Sequence, residues 1–254
     1  MKLHLSRWVC LDVDTNLRRA REESERAVAG GAGIVVFPEL FLTGYARALE
    51  PARARQAFGA ISAGAPGTLF VFGSISEEGR NRLTAWHAGR EAARYDKVHL
   101  FRPNQEHQLW QAGERYVALR WRGLTIGLVN CNDVRFPEQA RALRLRARCG
   151  LLLAPAWWPW RRDHVWRTLL RARALENGVY VAGCCVAASA HAGEEFAGAG
   201  NHVFDPLGAP VETKDDHTYE LALEAPPALI VDPLEQAVAI DRVDVIEVDA
   251  PSEA

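Results

Sequence analysis

The sequence of 254 residues has no CxxC pair, no apolar run approaching the roughly 18–20 residues of a membrane-spanning helix, and no excess of either charge. Its 30 Lys+Arg against 32 Asp+Glu leave a formal charge of −2. That balance argues against a nucleic-acid footprint and against a polybasic membrane anchor. The opening segment MKLHLSRWVCLDVD meets a Cys and two Asp where a signal peptide needs its apolar core, so a soluble, cytoplasmic protein is expected. The five cysteines, Cys10, Cys131, Cys149, Cys184 and Cys185, are odd in number and scattered. They fit neither a disulfide framework nor a zinc site, and any chemistry they do is that of free thiols. Repeats, low-complexity linkers and charge blocks are missing too, so nothing marks a domain boundary. One large domain is the default reading, and two small ones are the alternative.

What the chain does contain is an alternation of strands and helices. KLHLSRWV alternates like a strand, and DTNLRRAREESERAVAGG reads as a helix with Thr15 or Asn16 as N-cap and Gly30-Gly31 as its stop. GIVVFPEL is a continuous apolar run of the kind a strand buried on both faces shows. TLFVFGSIS, RLTAWHAG, AARYDKVHL, YVALRW and LTIGLVNC follow as strand candidates. PEQARALRLRARCG reads as a helix with Pro137 in its first position, LLLAP as a buried strand, and RRDHVWRTLLRARALENG as the clearest helix, closed by Gly178. VYVAGCCVAA, NHVFDPLGAP and YELALEA give three more strands, the middle one turning at Pro206-Leu207-Gly208. Sheets inside and helices outside, an α/β or α+β layered domain, follow from that order. The domain is expected to span 1–247, with 248–254 as a frayed tail.

Four polar residues fall where strands end: Glu39 after VVFP, Lys97 in YDKVHLF, Glu106 in NQEHQLW and Cys131 after LTIGLVN. Singly each has a bland reading, a packing thiol, a loop acid or a solvated lysine. Together they are the parts acyl transfer requires. A thiol attacks a carbonyl or nitrile carbon as thiolate, so it needs a base or a cation to bring its pKa down from about 8.5. The tetrahedral intermediate needs donors aimed at its oxyanion, each worth roughly 3 kcal/mol in known cases. Glu can be the base and Lys the donor. A Ser-His-Asp reading is poorer, since no GxSxG elbow is present.

The segments IVVFPELFLTGY, YDKVHLF, EHQLWQAG and CNDVRFPE resemble, in order and spacing, the four signature segments of the nitrilase superfamily, the carbon-nitrogen hydrolases. The resemblance continues through APAWWPWRRDHVWRTLLRARALENGVYVAG to VFDPLG. It implies a four-layer α-β-β-α sandwich and a Glu-Lys-Cys triad, with Glu39 as general base, Lys97 as oxyanion-stabilising cation and Cys131 as nucleophile. It further implies that Glu106 orients Lys97 and the substrate nitrogen and that the Asn132 backbone N–H is the second oxyanion donor. Neither metal nor organic cofactor is expected. RTLLRARALENGVYVAG is closest in wording to amidases acting on ω-amides of dicarboxylates and on deaminated glutathione. A small aliphatic amide is therefore the expected substrate, with an N-carbamoyl amine or a nitrile as alternatives, and a catalytically lapsed scaffold as the alternative from another class. By the same resemblance a homodimer is expected.

Some positions depart from the family pattern or carry two readings. Asn132 stands where a bulky residue is usual and would alter the pocket wall. Asn201 stands where Ser is common. ASAHAGEEF reads as a flexible surface loop slightly ahead of a substrate lid. Trp157 and Trp158 are either core packing or the wall of the acyl pocket. Arg135 either meets a substrate carboxylate or makes a structural ion pair. Arg171, Arg173 and Glu176 read as a structural or interface network.

Overall fold

The computed structural model describes residues 1–45, 49–189, 196, 200–213, 215–224, 226–229 and 231–236. Twelve strands and six helices run in chain order. The first half holds β1 (Lys2–Leu5), β2 (Trp8–Cys10), α1 (Val13–Ala29), β3 (Ile34–Val36), α2 (Pro51–Gly64), β4 (Leu69–Glu77), β5 (Arg80–His87), β6 (Arg90–Asp96), α3 (Glu106–Leu109), β7 (Val117–Trp121) and β8 (Leu124–Leu128). The second half holds α4 (Pro137–Ala147), β9 (Leu151–Ala156), α5 (Asp163–Asn177), β10 (Tyr180–Ser189), β11 (His202–Phe204), β12 (Thr218–Glu220) and α6 (Pro233–Gln236).

The strands form two sheets, β12-β1-β3-β4-β5-β6 and β11-β10-β9-β8-β7. Three buried clusters show how they stack. Ile34, Val36, Leu69 and Val71 of the first sheet meet Ile126, Leu128, Leu151 and Leu153 of the second. The alternate residues Val35, Phe70 and Phe72 point the other way, onto Ala20 and Ala27 of α1 and Phe58 and Ile61 of α2. Leu152 and Ala154 face Leu143 of α4 and Trp166 and Leu170 of α5. Each central strand is thus buried on both faces, which is why GIVVFPEL and LLLAP read as continuous apolar runs. The result is the expected four-layer α-β-β-α sandwich.

The element reading needs four corrections. KLHLSRWV is two strands: β1 joins the first sheet, whereas β2 pairs with β10 in parallel, so the chain crosses between the sheets at Ser6-Arg7. The α1 cap is Asp12, whose carboxylate accepts the Thr15 N–H at 2.9 Å. Asn16 is instead buried and spends its amide on the Leu11 and Leu42 carbonyls. Helix α2 escapes a reading by large apolar residues because its buried face is Ala54, Phe58, Ile61 and Ser62. The single turn α3, Glu106–Leu109, also goes unread, being too short to show a period. The 248–254 tail and most of ASAHAGEEF lie outside the described residues.

Candidate active site

The site lies where strand ends of both sheets meet. Glu39 follows β3 and is held by a close backbone approach: a Cβ on Gly73 would stand 1.7 Å from the Pro38 carbonyl oxygen. Only glycine at the irregularity between Phe72 and Ser74 of β4 lets this segment lie against the sheet. The next residue, Leu40, takes a left-handed φ of 49° and donates its N–H to Ser74 Oγ at 3.2 Å.

Lys97 is the first residue past β6. Its N–H goes to the Asn81 carbonyl at 3.0 Å and its carbonyl accepts the Gly113 N–H at 2.8 Å. A Cβ on Gly113 would meet the Asp96 carbonyl at 2.1 Å, so glycine is needed there as well. Cys131 opens a 3-10 turn, Cys131–Arg135, after β8, and it too has a left-handed backbone, φ 51°. For a non-glycine residue this conformation is uncommon, and it recurs at functional sites.

Glu39, Lys97 and Glu106 are all fully buried. Lys97 Nζ donates to Glu39 Oε1 at 2.7 Å and to Glu106 Oε1 at 2.9 Å. Glu39 Oε1 also accepts from Asn81 Nδ2 at 2.9 Å, and Oε2 accepts the Trp157 N–H at 3.0 Å. Glu106 Oε1 accepts from the Tyr45 hydroxyl at 2.7 Å and Oε2 from the Phe101 N–H at 2.7 Å. The Cys131 thiol lies 3.9 Å from the Trp157 carbonyl oxygen, within reach of the charges of Glu39 and Lys97.

These contacts decide the charge states. Burial pulls the Lys97 pKa down, but the negative charge of Glu39, reinforced by Glu106 and the hydrogen bond to Glu39, outweighs it and holds the ammonium well above its ordinary range. Burial raises Glu106, Lys97 lowers it, Glu39 raises it again, and the net direction is up. For Cys131 burial comes first, then the charge of Glu39; Lys97 offsets only part, and the thiol is pushed far up. The expectation of a depressed thiol pKa is therefore not met in the resting site.

The remaining expected residues divide. The Asn132 side-chain amide donates to the His99 carbonyl at 2.9 Å. Its backbone N–H stands in the first turn of the 3-10 segment, where N–H groups lack an intrahelical acceptor. The Trp157 ring packs edge-on against Tyr45 and Phe196, beside the site. Trp158 belongs to the helix-side core against Trp166, with its indole N–H on the Arg162 carbonyl. Arg135 makes no ion pair among the described residues. Its guanidinium lies over the Trp158 ring at 4.5 Å, and its buried Nε has no partner. Arg173 is structural: buried on α5, it donates to the Val134 carbonyl of the nucleophile turn at 2.9 Å and pairs with Glu176. Asn201 ties the sheets together, accepting from the Cys185 N–H and donating to the Leu5 carbonyl.

Three residues of the site were not singled out from the sequence: Tyr45, Asn81 and Asp133. Tyr45 and Asp133 lie inside quoted segments, so attention to every polar residue of those segments would have found them. Asn81 lies in none, and only the pairing of β5 with β4 and β6 brings it to Glu39. Among the described residues one group of three metal-type donors occurs, His4, Glu23 and His217, under α1. Its imidazole rings lie parallel within 7°, so an ion there would require one ring to turn.

The carbon-nitrogen hydrolase family profile matches residues 4–221. Omega-amidase YafV of Escherichia coli K12 is 34% identical over 222 residues, 82% of either chain. The 2-oxoglutaramate amidase of Bacillus subtilis is 31% identical over 216 residues, covering 78% of this chain and 82% of its own. A variant of the amidase from Nesterenkonia sp. AN1, solved with acrylamide added at its active-site cysteine, superposes with a TM-score of 0.75 at 26% identity, covering 93% of this chain and 95% of its own. The chain belongs to the carbon-nitrogen hydrolase family. It is an enzyme of that class, which the sandwich fold and its amidase-named relatives bear out together.

Proposed function

We propose that this protein hydrolyses a small aliphatic amide through a thioester on Cys131, with Glu39 as general base, Lys97 and the Asn132 N–H as oxyanion donors, and Glu106 orienting Lys97. The observation that carries the reading is the buried Lys97 ammonium held between two carboxylates, one of which, Glu39, also accepts the N–H of Trp157, whose carbonyl the Cys131 thiol meets at 3.9 Å. Glu39 takes the thiol proton as Sγ attacks the amide carbon, and the carbonyl electrons pass to an oxyanion held by Lys97 and Asn132. The intermediate collapses, the C–N bond breaks, and the proton on Glu39 leaves with ammonia. Water then gives a proton to Glu39 and attacks the thioester; the carboxylate product departs and the thiol is restored.

Arg135 narrows the substrate. A guanidinium stacked on Trp158, with a buried Nε that has no partner among the described residues and a place on the same turn as Cys131, suits a substrate with a carboxylate at its far end. An ω-amide of a dicarboxylate has that form, and two relatives are named for such activities. Trp157 supplies an apolar wall for the chain between, and Trp158 acts through Arg135. Ammonia release from a panel of ω-amides, uncharged amides, N-carbamoyl amines and nitriles tests the assignment. The ω-amide is expected to react fastest, and Arg135→Ala should raise its KM while leaving an uncharged amide unaffected. A panel led by a nitrile or a carbamoyl amine would overturn it.

Residues 1–247 are taken as one catalytic domain, supported by a site that draws on both sheets. A homodimer and a cytoplasmic location complete the proposal. The location is supported by five unpaired thiols, and no helix among the described residues is long and apolar enough to cross a membrane.

A further inference from the structure

The parts assigned to the reaction stand on different sheets. Glu39, Lys97 and Asn81 come from the β3–β6 sheet, whereas Cys131 comes from the turn after β8 in the other. Neither ladder of backbone hydrogen bonds fixes how Lys97 stands relative to Cys131. Side chains crossing the seam have to do it.

One carboxylate makes three of those crossings. Asp133, two residues after Cys131, is 1% exposed. Its Oδ1 accepts the His99 backbone N–H at 2.8 Å and lies 2.8 Å from the His99 ring Nδ1. Its Oδ2 accepts the Tyr95 hydroxyl at 2.6 Å and the Asn130 N–H at 3.0 Å. Tyr95 and His99 flank Lys97, two residues away on either side, and Asn130 immediately precedes Cys131. A single side chain therefore binds both shoulders of the lysine to the shoulder of the nucleophile.

The local turn explains only part of this. The bond to Asn130 caps the 3-10 turn and would suffice for that purpose. The three contacts with Tyr95 and His99 do nothing for the turn; they cross to the other sheet. Neighbouring side chains reinforce the same crossing. Asn132 Nδ2 reaches the His99 carbonyl at 2.9 Å, Gln139 Nε2 reaches the Tyr95 hydroxyl at 3.1 Å, and Asn130 Nδ2 reaches Asn81 Oδ1 at 3.1 Å.

We infer that Asp133 is a positioning residue for amide hydrolysis, fixing the Lys97 ammonium against the Cys131 thiol through Tyr95, His99 and Asn130 without touching the substrate. The inference rests on the roles proposed above for Lys97 and Cys131. It requires a carboxylate specifically. All four contacts are donors, and the isosteric amide of asparagine would turn its NH2 group toward two of them.

The test compares Asp133→Asn with the parent enzyme on an accepted amide, folding being checked by circular dichroism and thermal melting. The expected result is a kcat lower by about a hundred-fold, the penalty of a displacement near 1 Å, with KM unchanged. Acyl-enzyme formation in a single turnover falls by the same factor. Tyr95→Phe and His99→Ala each remove one crossing and lose part of that kcat, again without a change in KM. A folded Asp133→Asn enzyme with the parent kcat overturns the inference. Should that variant not fold, parent kcat in both Tyr95→Phe and His99→Ala overturns it equally. Cys131→Ala in the same assay keeps the two proposals apart. If it still turns over, the proposed function fails; if it is inactive while the Asp133, Tyr95 and His99 variants keep the parent kcat, only the positioning role fails.

Discussion

At the scale of single residues, the thiol proposed as nucleophile is not held as a preformed thiolate. Burial and the charge of Glu39 keep the Cys131 thiol protonated against the pull of Lys97. A raised pKa means that thiolate is scarce at neutral pH and increases as pH rises through and beyond the ordinary thiol range. Iodoacetamide alkylation of Cys131 should accordingly climb across about pH 6 to 9 with no plateau. Glu39→Gln removes the charge that raises the thiol while keeping Lys97, so alkylation at neutral pH should become several-fold faster even as amide turnover is lost. Mass mapping of the alkylated peptide checks both parts, and slower labelling of the Glu39→Gln protein would contradict the charge assignment. The other thiols should lag: Cys149 and Cys185 are raised by burial as Cys131 is, but neither has a carboxylate–lysine pair within hydrogen-bond reach. That Glu39, Lys97, Glu106 and Cys131 belong to one candidate site was legible because each sits in a quoted segment. The thiol's charge state was not, because it depends on burial and on a carboxylate 92 positions away in sequence, which no local pattern encodes.

At the scale of elements, strand ends do the positioning and glycine permits it. The β3 exit carrying Glu39 lies so close to β4 that Gly73 has no room for a methyl group. Gly73→Ala should cost about 1–3 kcal/mol of stability, as overpacking does, and should lower kcat because Glu39 moves with its backbone. Thermal melting with a parallel activity assay reads both, and a substitution neutral in each would refute the account of this approach. Sequence periodicity recovered most strands and the helices α1, α4 and α5, since their apolar residues follow one clear period. It missed the break in KLHLSRWV because alternation alone does not reveal that a chain leaves one sheet for another. It missed α2 because a face of Ala, Phe, Ile and Ser carries too little contrast to stand out.

At the scale of the whole molecule, two sheets with one core between them leave a seam, and the site is built across it. That arrangement explains why so many buried polar side chains are cross-sheet ties. Asn201 links β10 to β1, Asn130 links the nucleophile turn to Asn81, and Asp133 links it to Tyr95 and His99. The four-layer order could be named from the signature segments, but these ties could not, because each joins residues far apart in sequence. The proposed homodimer predicts a solution mass of twice 28.1 kDa by light scattering, and a monomer at working concentration would refute it. The most direct test of the central claim is intact-protein mass spectrometry of the enzyme quenched during turnover of an accepted ω-amide. The account predicts an added acyl mass, the amide minus ammonia, localised to the Cys131 peptide and absent from Cys131→Ala, which releases no ammonia. Ammonia release by Cys131→Ala at the parent rate, or an acyl group on another residue, would contradict it.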